Sequence, residues 1–253
     1  MIRPYILAET NWKTVKETDY EVAILPWGAT EAHNYHLPYA TDNIQCDHVA
    51  AESARIAWDK GARVVVLPTV PFGVNTGQLD IKLDINMNPS TQLSVLEDIV
   101  DSLEQQGIHK LVIINGHGGN DFKQMIRELM PQYDVFITTI NWFQISGQDK
   151  IFDEPGDHAG EMETSLMMHI APQLVKPLAE AGDGAERKFK IKAILEKWAW
   201  AQREWSEVTK DTGIGNPAAS TPDKGQKYFK LVTQNIGEYL TDLHAADIDD
   251  LYE

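Results

Sequence analysis

Four short, unbroken apolar runs constrain this chain more than any other feature. They are residues 21–26 (EVAILP), 63–68 (RVVVLP), 110–115 (KLVIIN) and 134–140 (DVFITTI). A strand with one wet face alternates apolar and polar residues. A run without alternation needs cover on both faces, which is the condition of a buried parallel strand. Helical patterns separate the runs. Residues 44–58 read as helix, with the segment 47–59 stopping at Gly61. Asn88, Pro89, Ser90 and Thr91 offer a helix start, and Leu93, Leu96, Ile99, Val100 and Leu103 then recur at helical spacing up to Gly107. Residues 121–130 form a third pattern, ended by Pro131. Strand and helix in strict alternation predict an α/β fold, a parallel sheet with helices on both faces.

The second half is more helical. Residues 160–170 read as a helix stopped near Pro172, and residues 222–243 as a final helix before an acidic, frayed tail at 247–253. Residues 186–210 are rich in Lys, Glu and Trp, with Trp198, Trp200 and Trp205 among them. This stretch reads as a helical lid, an oligomer contact, or a peripheral helix packed on its own domain. With no repeat and no low-complexity linker, a single domain over residues 1–253 is expected.

Composition narrows the function classes. The chain has 38 acidic and 22 basic residues, for a formal charge of -16, so a phosphate backbone or an anionic membrane is repelled on average. No nucleic-acid or membrane partner is expected. The single cysteine, Cys46, allows no intrachain disulfide and reads as a small buried hydrophobe. Residues 1–4 (MIRP) show no basic stretch leading into an apolar run, and no window is long and apolar enough to span a bilayer. A cytoplasmic protein is expected.

The candidate chemistry falls in three clusters. After the first strand comes GATEAHNYHLPYATD (residues 28–42), with Glu31, His33 and Asp42. Ligands of open parallel sheets gather beyond the carboxyl ends of the strands, where this segment lies. Glu31 and His33 are two apart, so they share a face in extended chain. After the third strand comes NGHGGN (residues 115–120), whose glycines leave room at the His117 imidazole. It lacks the Lys-Ser/Thr pair of a P-loop and the spacing of a dinucleotide fingerprint. The third cluster, DHAGEMETS (residues 157–165), opens a helix with Asp157, His158 and Glu163. Oxygen and nitrogen donors without thiolate suit Zn, Mn or Fe. Five candidate ligands exceed a closed single-zinc site, which points to two metals with Asp42 as the natural bridge. His158 is the candidate proton carrier, with Asp157 beside it to orient the ring. Taken singly, each of these residues has a plain alternative as a packing or solvated group.

Together the three segments resemble the creatininase (creatinine amidohydrolase) family, as do Gly215-Asn216-Pro217-Ala218-Ala219 and Lys224-Gly225 near the C-terminus. The resemblance covers nearly the whole chain. It implies a three-layer α/β/α domain with a mainly parallel central sheet, two divalent metal ions and a homo-oligomer, often a hexamer. It implies that Glu31 and His117 bind one metal and His33 the other, with Asp42 bridging. It also implies hydrolysis of a small polar substrate at a cyclic amide or formamide C–N bond. One branch of the family trims a peptide, and another opens a carbocyclic keto-sugar ring. The chain departs from true creatininases at Gly119, where they carry a metal-binding Glu. Glu163 is the expected replacement as fifth ligand. Residues 75–84 (NTGQLDIKLD) also lack the family's usual His and Phe-Pro-Gly-Thr; this segment is expected to help line the pocket, with Trp142 and the Trp198–Trp205 group as further wall. A non-catalytic family member that kept the fold is the contrasting expectation, set against it by the intact set Glu31, His33, Asp42, His117 and His158.

Overall fold

The computed structural model describes residues 2–252; Met1 and Glu253, the ends of the expected domain and tail, lie outside it. In chain order the elements are α1 (Trp12–Lys16), β1 (Val22–Trp27), α2 (Thr41–Asp59), β2 (Val64–Val66), α3 (Pro89–Gln105), β3 (Lys110–Asn115), α4 (Lys123–Leu129) and β4 (Phe136–Asn141). They continue with β5 (Gly156–His158), α5 (Glu161–Ile170), α6 (Lys192–Leu195), α7 (Trp205–Val208), β6 (Ile214–Gly215) and α8 (Pro222–Ala245). The main sheet has the order β2-β1-β3-β4 and is parallel throughout, with β5 and β6 forming a small antiparallel pair.

Both faces of the sheet are covered, as the unbroken runs require. Val22 and Ile24 of β1 and Val112 and Ile114 of β3 pack under α2 and α8, against Val49, Ala50, Val232, Ile236 and Leu240. Their neighbours Ala23, Leu25, Leu111 and Ile113 turn the other way onto α3 and α4, against Leu96, Val100, Leu103, Met125 and Leu129. This is the three-layer α/β/α arrangement. Each such aliphatic side chain, fully buried, contributes about 1.5–3 kcal/mol. Cys46 is buried in the first of these layers, as expected of a small hydrophobe. Trp142 is there too, fully buried beside Tyr228, so it is core and not pocket wall.

Helix boundaries follow ordinary capping chemistry. Gly61 and Gly107 take positive φ just after α2 and α3, where a side chain would be strained. The hydroxyl of Thr221 accepts from the Lys224 N–H at 3.3 Å to start α8, with Pro222 in the first turn. The expected helix over 186–210 does not form. Only the four-residue α6 and α7 are helical, and the rest is an irregular arm. It is tied instead by Trp205 N–H to the Gly77 carbonyl (2.9 Å) across the molecule and by Arg187 N–H to the Val208 carbonyl (2.8 Å) within the arm.

The topology positions the site. The chain passes from β1 to β2 on one side, then returns to place β3 on the other side of β1. The loops after β1 and β3 therefore leave the sheet in opposite senses and open a crevice between them. Trp27 pairs with Asn115 in the register, so the two loops emerge side by side.

Candidate metal centre

The segment after β1 is held in shape by backbone bonds, one of its own and one from the loop at Ile85. Glu31 N–H donates to the Tyr39 carbonyl at 3.1 Å, and Ile85 N–H to the Thr30 carbonyl at 3.0 Å. Asp42 enters as the second residue of α2 and comes back against His33. After β3, Asn115 holds the next turn. Its Oδ1 accepts from His117 N–H (3.1 Å) and from Asn120 Nδ2 (3.0 Å), and its Nδ2 donates to the His117 carbonyl (2.9 Å). The imidazole of His117 then lies in a slot between two glycines. A Cβ at Gly119 would meet His117 Nε2 at 2.4 Å and the Val74 carbonyl at 2.3 Å, and one at Gly73 would meet His117 Cδ2 at 2.7 Å. The glycine at 119 is thus required by close approach, and no glutamate fits there beside this imidazole.

The structure brings Glu31, His33, Asp42, His117, His158 and Glu163 together, all nearly or fully buried. Three sets have ligand atoms within 4.8 Å of one another: Glu31, Asp42 and His117; His33, Asp42 and Glu163; and Glu31, His33 and His158. Asp42 faces both ways. Its Oδ1 is 2.9 Å from His33 Nε2, and its Oδ2 is 3.3 Å from His117 Nδ1. Glu31 Oε1 is 2.8 Å from the same His117 Nδ1 and 3.9 Å from His158 Nδ1.

Each imidazole is anchored from behind by a backbone carbonyl. His33 Nδ1 donates to Glu31 O (3.1 Å), His117 Nε2 to Val74 O (3.0 Å) and His158 Nε2 to Ala32 O (2.8 Å). That leaves His33 Nε2, His117 Nδ1 and His158 Nδ1 turned toward the carboxylates, the outer-partner pattern of metal-binding histidines. Two carboxylates are engaged similarly: Gln78 Nε2 donates to Glu31 Oε2 at 2.6 Å, and Ala159 N–H to Glu163 Oε2 at 2.5 Å. Asp42 has neither oxygen taken up by such a donor. Among the described residues, buried Glu31 Oε1 and Asp42 Oδ2 face only imidazole nitrogens, with no amide or hydroxyl donor. Buried polar atoms are rarely left so, and a cation between them answers the deficit.

The electrostatics agree. Burial works against the charged form of His117, but Glu31 and Asp42 outweigh it and hold the imidazole well above its usual range. Burial lowers His33 as well, and Asp42, Glu163 and Glu31 bring it up to about 10. Burial would raise Glu31, yet His117, His158 and His33 hold it well below the carboxylate range. Burial is the main cause that raises Glu163. The carboxylates around His33 and His117 thus call for cationic charge, and these donors, oxygen and nitrogen without thiolate, fit divalent metals. His158 differs: burial and then the neighbouring His33 keep it low, hence neutral.

Asp157 does not reach the His158 ring. Adjacent residues of a strand point to opposite faces, and the Asp157 carboxylate pairs with Arg203 Nη2 at 2.6 Å on the outside. The ring is oriented by the Ala32 carbonyl instead, and Trp205 packs edge-on against it at 5.4 Å between centroids. Of the arm's tryptophans only Trp205 comes to the site; Trp198 and Trp200 are 75% and 85% exposed. Three further residues support the site, and none is named singly in the sequence reading, although two lie in the 75–84 segment expected to line the pocket. Gln78 caps Glu31. Asp84 Oδ1 accepts from Ala32 N–H at 2.7 Å, between two candidate ligands. His36 Nε2 bonds Thr164 Oγ1 at 2.8 Å and ties the first loop to α5 beside Glu163. His36 lies inside the first motif, and Gln78 and Asp84 lie in the 75–84 segment, which points to the pocket without saying which side chains face it.

A parallel α/β/α fold with this acid-histidine centre at its switch point defines a class, and the chain belongs to the creatininase family: the family model described as creatinine amidohydrolase matches residues 8–240. It is a metal-dependent hydrolase, as the members of that family are. A crystal structure from Bacteroides fragilis, provisionally assigned as a creatinine amidohydrolase, is 45% identical, with a TM-score of 0.94 and 100% of each chain covered. The mycofactocin precursor peptide peptidase of Mycobacterium tuberculosis is 24% identical over 227 residues, 84% of this chain and 81% of that protein. A deformylase of Methanothermobacter marburgensis, acting on 2-amino-5-formylamino-6-ribosylaminopyrimidin-4(3H)-one 5'-monophosphate, is 27% identical over 151 residues, 58% of each.

Proposed function

We propose that this chain, as one domain, is a dinuclear metal hydrolase that cleaves a C–N bond of a small cyclic amide or formamide. The observation that carries the reading is Asp42, whose two oxygens address His33 on one side and His117 on the other. Glu31, Asp42 and His117 would hold one ion; His33, Asp42 and Glu163 would hold the second. Zn, Mn and Fe suit these donors. Two such ions would supply Lewis acidity toward a carbonyl oxygen and would lower the pKa of a water.

The chain's own residues do the rest. His158 is neutral, with Nε2–H held on Ala32 and Nδ1 turned inward. Nδ1 takes a proton as water adds to the carbonyl carbon, and returns it to the leaving nitrogen as the C–N bond breaks. Trp205 packs on the outer side of that ring and limits water there. The family's range supports the reading, since an amidohydrolase, a peptidase and a deformylase all act on a carbonyl bonded to nitrogen.

A second reading, hydrolytic opening of a carbocyclic keto-polyol, begins with the same addition to a carbonyl. It is favoured by three buried acceptor oxygens without partners on the segment beside Glu31: Asn75 Oδ1, Gln78 Oε1 and Asp84 Oδ2. Acceptors of that kind suit hydroxyl donors. Incubating the metal-loaded protein with lactams, formamides and cyclic polyol ketones tests both. Turnover of a lactam or formamide is expected. Turnover of the ketones alone selects the second reading, and fewer than one equivalent of tightly bound metal sinks both.

A further inference from the structure

Two of the three carboxylates are capped and Asp42 is not, and one of the two caps comes from outside the motifs. Glu163 gives one oxygen to Ala159 N–H, within its own cluster. Glu31 gives Oε2 to the amide of Gln78, 47 residues away in the segment that departs from the family pattern. We propose that Gln78 is a positioning residue of the metal centre. By holding Oε2 it leaves only Oε1 for the ion shared with Asp42 and His117, and so sets Glu31 as a one-oxygen ligand. The inference rests on the dinuclear reading above.

Several observations make this grip specific. Gln78 is buried, so its bond to Glu31 is shielded from bulk solvent. The bond, at 2.6 Å, is a charge-assisted one, shorter and stronger than a neutral pair. Among the described residues its carbonyl oxygen, Oε1, has no partner, and the side chain's one hydrogen bond is to Glu31. The loop that carries it is fastened at both ends independently of that side chain. Asn75 N–H donates to Asn86 Oδ1 (2.8 Å), the Gln78 backbone N–H donates to Asn75 O (3.0 Å), and Ile81 N–H donates to Gln78 O (3.0 Å). Asp84, at the far end of the same loop, holds Ala32 N–H between Glu31 and His33. The loop therefore grips the ligand-bearing segment at two points, and Gln78 touches only one half of the centre.

This asymmetry gives a test that needs no substrate. Zinc affinity is measured by chelator competition on the whole protein, wild type, Gln78→Met and Gln78→Glu, with melting of the metal-free forms alongside. Methionine keeps the size and removes the donor; glutamate keeps the size and puts an acceptor against Glu31. In Gln78→Met one equivalent is expected to weaken by about 10–100-fold, the usual loss for an outer partner of a ligand. The other equivalent should hold, and metal-free melting should not move. In Gln78→Glu the same equivalent should weaken further. The inference is overturned if the wild type binds two equivalents and Gln78→Met binds both as tightly. It is overturned too if both equivalents fall together with the metal-free melting temperature in both variants, which is a purely structural role. A wild type that binds fewer than one equivalent overturns the dinuclear reading and the inference with it.

Discussion

At the scale of single residues the centre is a problem of partner assignment. Every nitrogen and oxygen near it has a choice of partners, and burial makes a wrong choice expensive. Asp42 is the residue with no spare oxygen, so Asp42→Ala should lose both metals where loss of Glu31 or Glu163 loses mainly one. Metal analysis of the purified variant checks this, and two retained equivalents would remove Asp42 as the bridge. His158→Ala should keep both metals and lose kcat by about 10²–10⁴-fold, the usual range for a positioned acid-base group. Steady-state kinetics on whichever substrate the screen yields decide it; an unchanged kcat takes His158 out of the reaction.

At the scale of elements, the glycines at contacts report how tightly the parts meet. Gly119 packs so close to His117 and Val74 that a methyl group must push the imidazole off its carbonyl anchor. Gly119→Ala should therefore weaken metal binding at the His117 half while the far half persists, measured by the same chelator titration. Gly225 lies where α8 crosses α5, and a Cβ there would sit 1.9 Å from the Ser165 carbonyl. Gly225→Ala must part the two helices and should cost about 1–3 kcal/mol in urea unfolding. The arm over 186–208 shows the opposite case. Its Trp, Lys and Glu composition suits a helix, yet only α6 and α7 form, and the contacts of Trp205 with His158 and of Arg203 with Asp157 hold the irregular arm against the site.

At the scale of the whole molecule, stability is linked to pH and to metal. Burial lowers His36 from its ordinary 6.5 to about 4. Between those values the unfolded chain binds a proton that the folded one refuses. Stability is therefore full above about pH 6.5 and falls as the pH drops toward 4. His36→Gln should flatten that acid limb, read from unfolding free energies measured across the window. Metal acts in the same sense. Ions that bind only the folded state raise its stability by about 2.7 kcal/mol at a hundredfold excess over Kd. Chelation should lower Tm accordingly, and an unchanged Tm would show that the buried carboxylates do not bind tightly.

Much of this was legible in the residues themselves. Unbroken apolar runs can be satisfied only by a sheet covered on both faces, and Gly, Pro and Thr mark the helix ends through local φ and capping preferences that need no distant partner. Glu31, His33, Asp42, His117, His158 and Glu163 stood out because they sit in short motifs at strand and helix ends, where backbone geometry alone gathers them. What those motifs leave open is which side chain meets which across the chain. Asp157 was read beside His158 because it is its neighbour, yet strand alternation sends it out to Arg203. Gln78 and Asp84 lie in a loop with no periodic signal, and their bonds to Glu31 and Ala32 exist only once that loop folds back over the first strand's end. Trp142 and Trp205 look alike in sequence and part company in the fold, one in the core and one against the His158 ring. Local patterns are set by backbone preference and periodicity, which a sequence carries. Partner choice among buried polar groups is settled by close packing of distant segments, and only the tertiary structure decides it.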